Sequence, residues 1–432
     1  MSLRERLHAR AQQRGPIRVG LVGAGQMGEG LISQMERMEG MRVMATADVI
    51  PGRAAAAYAA SDVPSPQVVS MDDDGTKAAE LIQEGKRIAT TRSDWLVQIP
   101  ALDVIVECTG IPEVGAKICF EAIEAGKNIV NMNVETDCTI GYWLARRALE
   151  KKVIYTLIAG DEPGTIKEIY DFADALGFEI VTVGKGKNNP LDRTANPDTV
   201  RARAEAQMMS PKMLASFVDG TKTMVEMTSI GNATGYAPEV PGAYGPKCKV
   251  EELAKVFVPK SDGGILNARG AVDYAIGPAP GVFVIITTDQ PKIMRDLKYL
   301  GLNGHGNYWA LYRPYHLANL EAPITVARAV LDNEVTLATY RPPVAETVAC
   351  AKRDLKAGEK IDALGGYRVY GLIERVVVSR AENMVPLGLI VGATIIKPIK
   401  MGDPIRYSDV TLDENQIIVR LRREQDRMLA KN

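Results

Sequence analysis

Short apolar runs alternate with helical patterns over residues 17 to 157. The first run, Ile17–Val22, is rich in β-branched residues and is typical of a buried parallel strand. A helical pattern through Leu31, Ile32 and Met35 follows it. Further strands are predicted at 41–47, 102–108, 128–132 and 153–157, with helices at 113–126 and 142–151. This alternation predicts an α/β domain over residues 1–155, with a doubly wound parallel sheet and helices on both faces.

A glycine-rich turn follows the first strand. Gly23, Gly25 and Gly28 have the spacing G-x-G-x-x-G, and Gln26 and Met27 lie between the last two. The first glycine permits a tight turn, the second lets a pyrophosphate approach the backbone, and the third lets the helix pack close to the sheet. With a strand before it and a helix after it, this turn predicts a Rossmann dinucleotide site whose phosphates bind the helix N-terminus. A glycine turn that binds nothing is the alternative.

The choice of nicotinamide cofactor depends on the end of the second strand. Asp48 lies twenty residues past Gly28, where such folds place the acid that binds the ribose hydroxyls. A carboxylate there favours NAD and repels the 2′-phosphate of NADP, although the nearby Arg53 either binds that phosphate or is an ordinary exposed arginine. Later strand ends face the nicotinamide in this fold, which adds Thr109, Gly110 and Asn133 to the predicted cofactor contacts.

Residues 156–340 are predicted to form a central α+β catalytic and oligomerisation domain. Strands at 256–258 and 282–287, separated by Gly/Pro loops, predict an antiparallel or mixed sheet of the kind that can pair between subunits. Directly after the strand 181–183 come glycines, lysines and asparagines: Gly184, Lys185, Gly186, Lys187, Asn188 and Asn189. Strand alternation points the two lysines to the same side. The cationic and amide groups suit a small polyhydroxylated or phosphorylated anion, with a solvated turn as the alternative.

Other polar residues of this section are candidates for proton transfer or metal binding. His316 is the first choice for an acid/base residue, with Arg313 near it in sequence, although a structural histidine is equally consistent. Asp161 and Glu162 precede a helix predicted at 165–176, where they either stabilise the helix start or serve as cleft carboxylates. In the second case they are the predicted ligands of a divalent metal.

A helix is predicted over residues 219–232. Met224, Met227 and Ile230 recur at helical spacing and are expected in the core. Lys222 and Glu226 are four residues apart, so they are predicted to form an ordinary ion pair on the helix surface.

Composition excludes several classes of partner. The 432 residues carry 52 lysines and arginines against 53 acidic residues, a net charge of −1 that does not favour nucleic acid. No apolar run is long enough to cross a bilayer, and the basic first fifteen residues are expected to form a polar helix. Five scattered cysteines without a C-x-x-C pair fit a reducing cytoplasm. A small-molecule substrate is therefore expected, and the central sheet favours a homo-oligomer.

Six motifs in this order resemble the DXP-reductoisomerase-like (DRL) proteins, which are homoserine-dehydrogenase-like oxidoreductases with a SAF domain. The motifs lie at residues 23–28, 108–115, 160–163, 184–190, 222–227 and 313–317. The resemblance implies NADPH-dependent rearrangement and reduction of 1-deoxy-D-xylulose 5-phosphate in isoprenoid synthesis, with a divalent metal such as Mg or Mn. It also implies that residues 341–432 hold a β-rich SAF domain and a last helix near 415–429.

Two departures from related families leave the activity open. The reductoisomerase members carry arginines where this chain has Asp48, which favours as an alternative an NAD-dependent dehydrogenase of sugar-acid or polyol-phosphate catabolism. Residues 131–134 lack the lysine of homoserine dehydrogenases, so homoserine is not the expected substrate. A protein of another class, which senses NAD(P) or binds a ligand without catalysis, is the third hypothesis.

Overall fold

The computed structural model describes residues 1–431, which fold as two compact units. The first contains residues 1–161 and 317–340, and the second contains residues 162–316 and 341–431. The sequence predicted three consecutive domains, with 317–340 in the central one. These residues group with the first unit instead, because their helix packs on the first unit's own helices.

The first unit is built on a seven-stranded parallel sheet. Its strands are β1 (Ile17–Val22), β2 (Met41–Ala47), β3 (Val68–Ser70), β4 (Arg87–Thr90), β5 (Val104–Glu107), β6 (Asn128–Asn131) and β7 (Tyr155–Leu157). Its helices up to residue 161 are α1 (Leu3–Arg14), α2 (Gln26–Glu36), α3 (Arg53–Ala60), α4 (Gly75–Gln83), α5 (Ser93–Leu96), α6 (Pro112–Glu124) and α7 (Val134–Lys151). The strand order β3-β4-β2-β1-β5-β6-β7 places β1 at the centre, which confirms the predicted doubly wound α/β fold.

Two strands of this sheet were missed by the sequence prediction. The predicted strands leave a gap between residues 47 and 102, but β3 and β4 lie in this region and extend the sheet beyond β2. Both strands are short, and their apolar residues are too few to produce a clear alternation. β4 forms its hydrogen bonds with β2, and β3 forms its hydrogen bonds with β4, so both strands depend on pairing that their own sequence does not predict.

The second unit contains a five-stranded mixed sheet with the order β11-β12-β10-β8-β9. Its strands are β8 (Glu179–Lys187), β9 (Ala271–Ile276), β10 (Val282–Thr287), β11 (Gly304–His305) and β12 (Tyr308–Arg313). Helices α8 (Glu162–Ala175), α9 (Arg201–Ala206), α10 (Pro211–Val218), α11 (Thr221–Thr234), α12 (Leu253–Val256) and α13 (Pro291–Tyr299) accompany it. The mixed sheet was predicted correctly. The strand predicted at 256–258 was wrong, since α12 ends there and Phe257 and Val258 are buried core residues.

One helix of the central sequence returns to the first unit. Helix α14 (Ala318–Asp332) packs against α2. Its last residue, Asp332, also forms an ion pair with Arg6 of α1, with 2.6 Å between Oδ1 and Nη1. At this crossing the amide of Asn319 lies so close to Gly30 that a β-carbon there would stand 2.1 Å from Asn319 Nδ2. Close contact therefore explains a glycine in the middle of α2.

The last section is β-rich, as predicted. It contains β13 (Ala345–Ala351), β14 (Val369–Arg375), β15 (Thr394–Ile395) and β16 (Val410–Thr411), with α15 (Val376–Ala381) and α16 (Ile417–Leu429). The last helix is fixed by a buried bidentate ion pair between Arg422 and Glu346, at 3.0 and 2.6 Å. None of the helices within residues 1–431 has the length and apolar character needed to cross a bilayer.

Candidate functional site

The glycine turn has the form that phosphate binding requires. Gly23 has φ +101°, and a β-carbon on Gly28 would lie 2.0 Å from the Gly23 carbonyl oxygen, so both positions need glycine. Gly25 is different, because a β-carbon there would meet nothing within 4 Å. Gly25, Gln26 and Met27 are exposed at the start of α2, and no side chain caps that helix. The turn thus presents unpaired helix N–H groups to solvent beside an open glycine.

Asp48 lies directly after β2 and touches this turn. Its carboxylate accepts one hydrogen bond from the Ala24 N–H and one from the Ile50 N–H, both at 2.9 Å. Arg53 Nη1 lies 3.7 Å from Asp48 Oδ1 and is 45% exposed. The acid predicted to bind the ribose is therefore fixed at the turn, with a cation beside it.

The predicted contacts after β5 and β6 differ in exposure. Thr109 donates its N–H to Glu107 at 2.8 Å, and its hydroxyl bonds the same carboxylate, while Gly110 is exposed with φ +68°. Asn133 is fully buried, and its side chain caps α7 and donates to the Ile111 carbonyl at 3.0 Å. The structure gives Asn133 a structural role, so it does not support the predicted cofactor contact.

Glu107 was not singled out in the sequence, yet it is the buried carboxylate beneath this edge of the sheet. It is fully buried, and burial raises its pKa to about 7 despite hydrogen bonds from Thr109. Cys108, the next residue, points its thiol at the Gly23 carbonyl oxygen, 3.0 Å away. Burial raises the pKa of this thiol well above its usual value, which agrees with a structural cysteine.

In the second unit, Lys185 is the centre of a buried charged cluster. It is 6% exposed and its ammonium group bonds the carboxylates of Glu162, on α8, and Glu226, on α11. Burial opposes the charge on Lys185, but the two carboxylates outweigh it and raise the pKa of the lysine. Burial and the charge of Glu162 raise the pKa of Glu226 to about 7. Two carboxylates on one lysine give the cluster an excess negative charge that a proton can offset.

The predicted surface position of Glu226 is wrong, although Lys222 does attract its charge. Glu226 is 1% exposed and faces β8, where it bonds Lys185. The i, i+4 spacing was correct as geometry, but α11 is buried along most of its length. A carboxylate directly between the apolar residues Val225 and Met227 was the signal that a buried partner existed.

Lys187 points to the same side of β8 as Lys185, as predicted, and its ammonium group donates to the Phe217 carbonyl oxygen at 2.5 Å. Burial and repulsion from Lys185 lower the pKa of Lys187 to about 8, although Asp219 and Glu226 attract its charge. Both lysines lie in the strand and not in a loop after it. Neighbouring backbone explains the glycine between them, since a β-carbon on Gly186 would lie 1.9 Å from the Pro278 carbonyl oxygen.

The two predicted asparagines have different surroundings. Asn188 is exposed, whereas Asn189 is buried and its side-chain oxygen accepts a hydrogen bond from Arg203. Asn189 also donates to the Asn188 side-chain oxygen at 2.9 Å. Of the pair, only Asn188 presents its side chain to solvent.

His316 and Arg313 lie near α8. His316 Nε2 is 3.5 Å from Glu162 Oε1, so the histidine predicted as an acid/base residue joins the Lys185 cluster. Arg313 extends from the end of β12, lies 3.4 Å from Glu168, and covers the ring of Tyr315 at 4.5 Å. Its contacts hold the segment that carries His316.

The predicted metal ligands Asp161 and Glu162 lie where the chain passes from the first unit to the second. Imidazole and carboxylate as close as His316 and Glu162 suit a divalent ion. The Lys185 ammonium group, however, bonds the same Glu162 oxygen that faces His316, and so already supplies positive charge there. The metal remains a prediction.

The comparisons with known proteins assign the parts of the second unit. Residues 160–322 match the family model described as the catalytic domain of oxidoreductase DRL. This part of the chain is similar to the catalytic domain of DRL oxidoreductases. Residues 346–411 match the SAF domain model, which confirms the expected C-terminal module. Lys185, Lys187, Glu162, Glu226 and His316 all lie within the DRL match.

Solved structures show more distant similarity. A probable dehydrogenase from Thermotoga maritima is 13% identical, with 74% of this chain and 90% of that one covered and a TM-score of 0.42. A scyllo-inositol dehydrogenase from Lactobacillus casei with bound NAD(H) and scyllo-inositol is 13% identical over 74% and 90% of the chains, with a TM-score of 0.39. The WlbA dehydrogenase from Bordetella pertussis is 17% identical over 41% and 45%, with a TM-score of 0.30. No curated protein matches the chain.

Proposed function

We propose that this DRL oxidoreductase transfers hydride between a nicotinamide dinucleotide and a small phosphorylated or polyhydroxy carbonyl compound. The observation that carries the proposal is the buried cluster of Lys185, Glu162 and Glu226, with Lys187 beside it in the same strand. Proteins rarely bury so many charges without function, because each desolvated charge is costly.

The glycine turn and Asp48 support the cofactor side of the proposal. The exposed N-terminus of α2 would bind the pyrophosphate, with Gly25 leaving room for it. Asp48 would accept the ribose hydroxyls and favour NAD over NADP. When bound, the nicotinamide supplies or accepts the hydride.

Lys185 and Lys187 have different roles in the proposed reaction, one in stabilising charge and one in transferring a proton. Lys185 stays charged, because two carboxylates hold its proton, and it stabilises negative charge that develops on the substrate oxygen. Lys187 has a pKa of about 8, so it can donate a proton to that oxygen and recover it near neutral pH. His316 positions Glu162 against Lys185.

A substrate screen followed by one matched pair of variants tests the proposal. Sugar acids and polyol phosphates with NAD⁺, and phosphorylated ketoses with NADH or NADPH, are followed by nicotinamide absorbance. One ketose is 1-deoxy-D-xylulose 5-phosphate, so the reductoisomerase hypothesis is tested in the same assay. We expect Lys187→Ala to lower kcat by roughly 10²-fold or more, as for loss of a general acid, while Lys400→Ala, at an exposed lysine, leaves it unchanged. Wild-type kcat/KM in Lys187→Ala would exclude the proposed proton transfer.

A further inference from the structure

The SAF domain inserts a buried lysine into the DRL catalytic domain. Lys352 Nζ donates to the Ala195 carbonyl oxygen at 2.6 Å and to the Gly366 carbonyl oxygen at 2.8 Å. It also lies 2.7 Å from Asp219 Oδ2. Ala195 and Asp219 belong to the DRL match, whereas Lys352 and Gly366 belong to the SAF match. One ammonium group of the SAF match therefore contacts the DRL match through a hydrogen bond to Ala195 and an ion pair with Asp219.

This ion pair is almost completely withdrawn from water. Lys352 is 3% exposed and Asp219 is 1% exposed. Breaking such a pair by removing one partner is strongly unfavourable, because the other is left as an uncompensated buried charge. A neutral, well-packed pair would hold two domains together at lower cost, so the charges themselves call for an explanation.

The explanation lies at the end of α10. Asp219 directly follows this helix, and the carbonyl of Phe217, in its last turn, accepts the hydrogen bond from Lys187. The C-terminus of a helix attracts cations, and the Asp219 carboxylate adds a full negative charge there. Lys187 is thus held by the same short segment that Lys352 contacts from the other domain.

The SAF strands also hold the helix that carries Glu226. The hydroxyl of Thr347, on β13, donates to the Met224 carbonyl oxygen at 3.1 Å, and the Gly371 N–H, on β14, donates to the Thr221 hydroxyl at 2.9 Å. Both acceptors are on α11. The SAF domain therefore supports both segments, the end of α10 and α11, that surround the two lysines.

We propose that Lys352 is a positioning residue of the charged cluster, which keeps the Asp219 carboxylate ionised and fixed beside Lys187. Its importance for turnover rests on the proposed function of Lys187, whereas the electrostatic link does not. The charged groups that face Lys187 are Lys185, Arg203, Asp219 and Glu226. Only Asp219 has its charge balanced from the SAF domain.

The sign of the effect follows from the burial of Asp219. Without Lys352, a carboxylate this deeply buried takes up a proton, since desolvation already raises its pKa and Lys352 is the chief influence that lowers it. Lys187 then loses a counter-charge while burial and Lys185 continue to oppose its own charge. Lys187 therefore releases its proton at lower pH, and Asp219→Asn should have the same effect.

The test measures the protonation of Lys187 directly in the full chain. Lysine labelled with ¹³C at the ε carbon is incorporated, and the Lys187 signal is assigned by its disappearance in Lys187→Arg. Its NMR titration midpoint is compared in wild type, Lys352→Met, Asp219→Asn and the double variant. We expect all three variants to titrate at lower pH by about one unit, a tenfold change in the ratio of neutral to charged lysine. Lys400→Met, at an exposed SAF lysine, should match wild type.

The double variant keeps the test decisive if Lys352→Met alone fails to fold, because it removes both buried charges. It should titrate at the same pH as Asp219→Asn, since Lys352 acts through Asp219. An unchanged or higher midpoint in folded Lys352→Met, or a double variant that differs from Asp219→Asn, would overturn the proposal. Full activity in Lys187→Ala would instead refute the proposed function, and the NMR midpoints would still decide the link to Lys352.

Discussion

Gly25 separates cofactor binding from folding more cleanly than any other position of the glycine turn. A β-carbon at Gly25 meets nothing within 4 Å, and the residue has φ −75°, which alanine adopts without strain. Gly25→Ala should therefore fold. The substitution should lower stability only through the start of α2, because alanine is a poorer N-cap than glycine by roughly 1 kcal/mol. That corresponds to a fall in Tm of about 2–4 °C for a unit of this size.

The same methyl group occupies the space in which a pyrophosphate would contact the α2 N–H groups. A phosphate forced away from the backbone loses at least one charge-assisted hydrogen bond, which is worth about 1.5–3 kcal/mol. The expected result is a Kd for NADH that rises by roughly 10- to 100-fold. Fluorescence titration with NADH measures the Kd, and thermal unfolding without cofactor measures the Tm.

Gly25→Ser provides the matched control for stability. Serine is a favoured N-cap, so this variant should recover or exceed the wild-type Tm while its side chain still fills the phosphate space. Weak binding in both variants, with Tm restored only in Gly25→Ser, would show that the loss comes from steric exclusion. Wild-type affinity in either variant would refute the placement of the pyrophosphate at this turn.

Three further predictions concern the first unit. Gly28→Ala should destabilise it by about 3 kcal/mol or more in urea unfolding, because the new β-carbon would overlap the Gly23 carbonyl oxygen; a wild-type unfolding midpoint would contradict this. Asp48→Ser should lower the ratio of the Kd for NADPH to that for NADH by about tenfold, since the carboxylate no longer repels the 2′-phosphate and Arg53 is nearby; an unchanged ratio would count against Asp48 as the selector. Glu107 has a pKa raised to about 7, so the folded state binds more protons than the unfolded state between about pH 4.5 and 7, and its stability falls as pH rises through that window. Glu107→Gln should remove up to about 1.4 kcal/mol per pH unit of that slope in urea unfolding, and a slope equal to wild type would contradict the assignment.

Local patterns were sufficient for the class of each sheet, parallel in the first unit and mixed in the second, and for the glycine turn. Strand composition, helical periodicity and glycine spacing are short-range properties, so β1, the turn and α2 were predicted from a dozen consecutive residues. The alternation also predicted that Lys185 and Lys187 share a face of β8. The short strands β3 and β4 were missed, because the pairing of β4 with β2 and of β3 with β4, and not their own composition, makes them strands.

The partners of the charged residues were decided by the tertiary structure alone. Lys185 meets Glu162 from a helix 23 residues earlier and Glu226 from a helix 41 residues later, and Lys352 reaches Ala195 across 157 residues. The periodicity of the sequence cannot predict contacts between residues so far apart, since each contact depends on how whole elements pack. The sequence by itself therefore determined a Rossmann sheet, a glycine turn between β1 and α2, and two lysines on one strand. Folding decided which carboxylates surround those lysines, and hence which of them can exchange a proton near neutral pH.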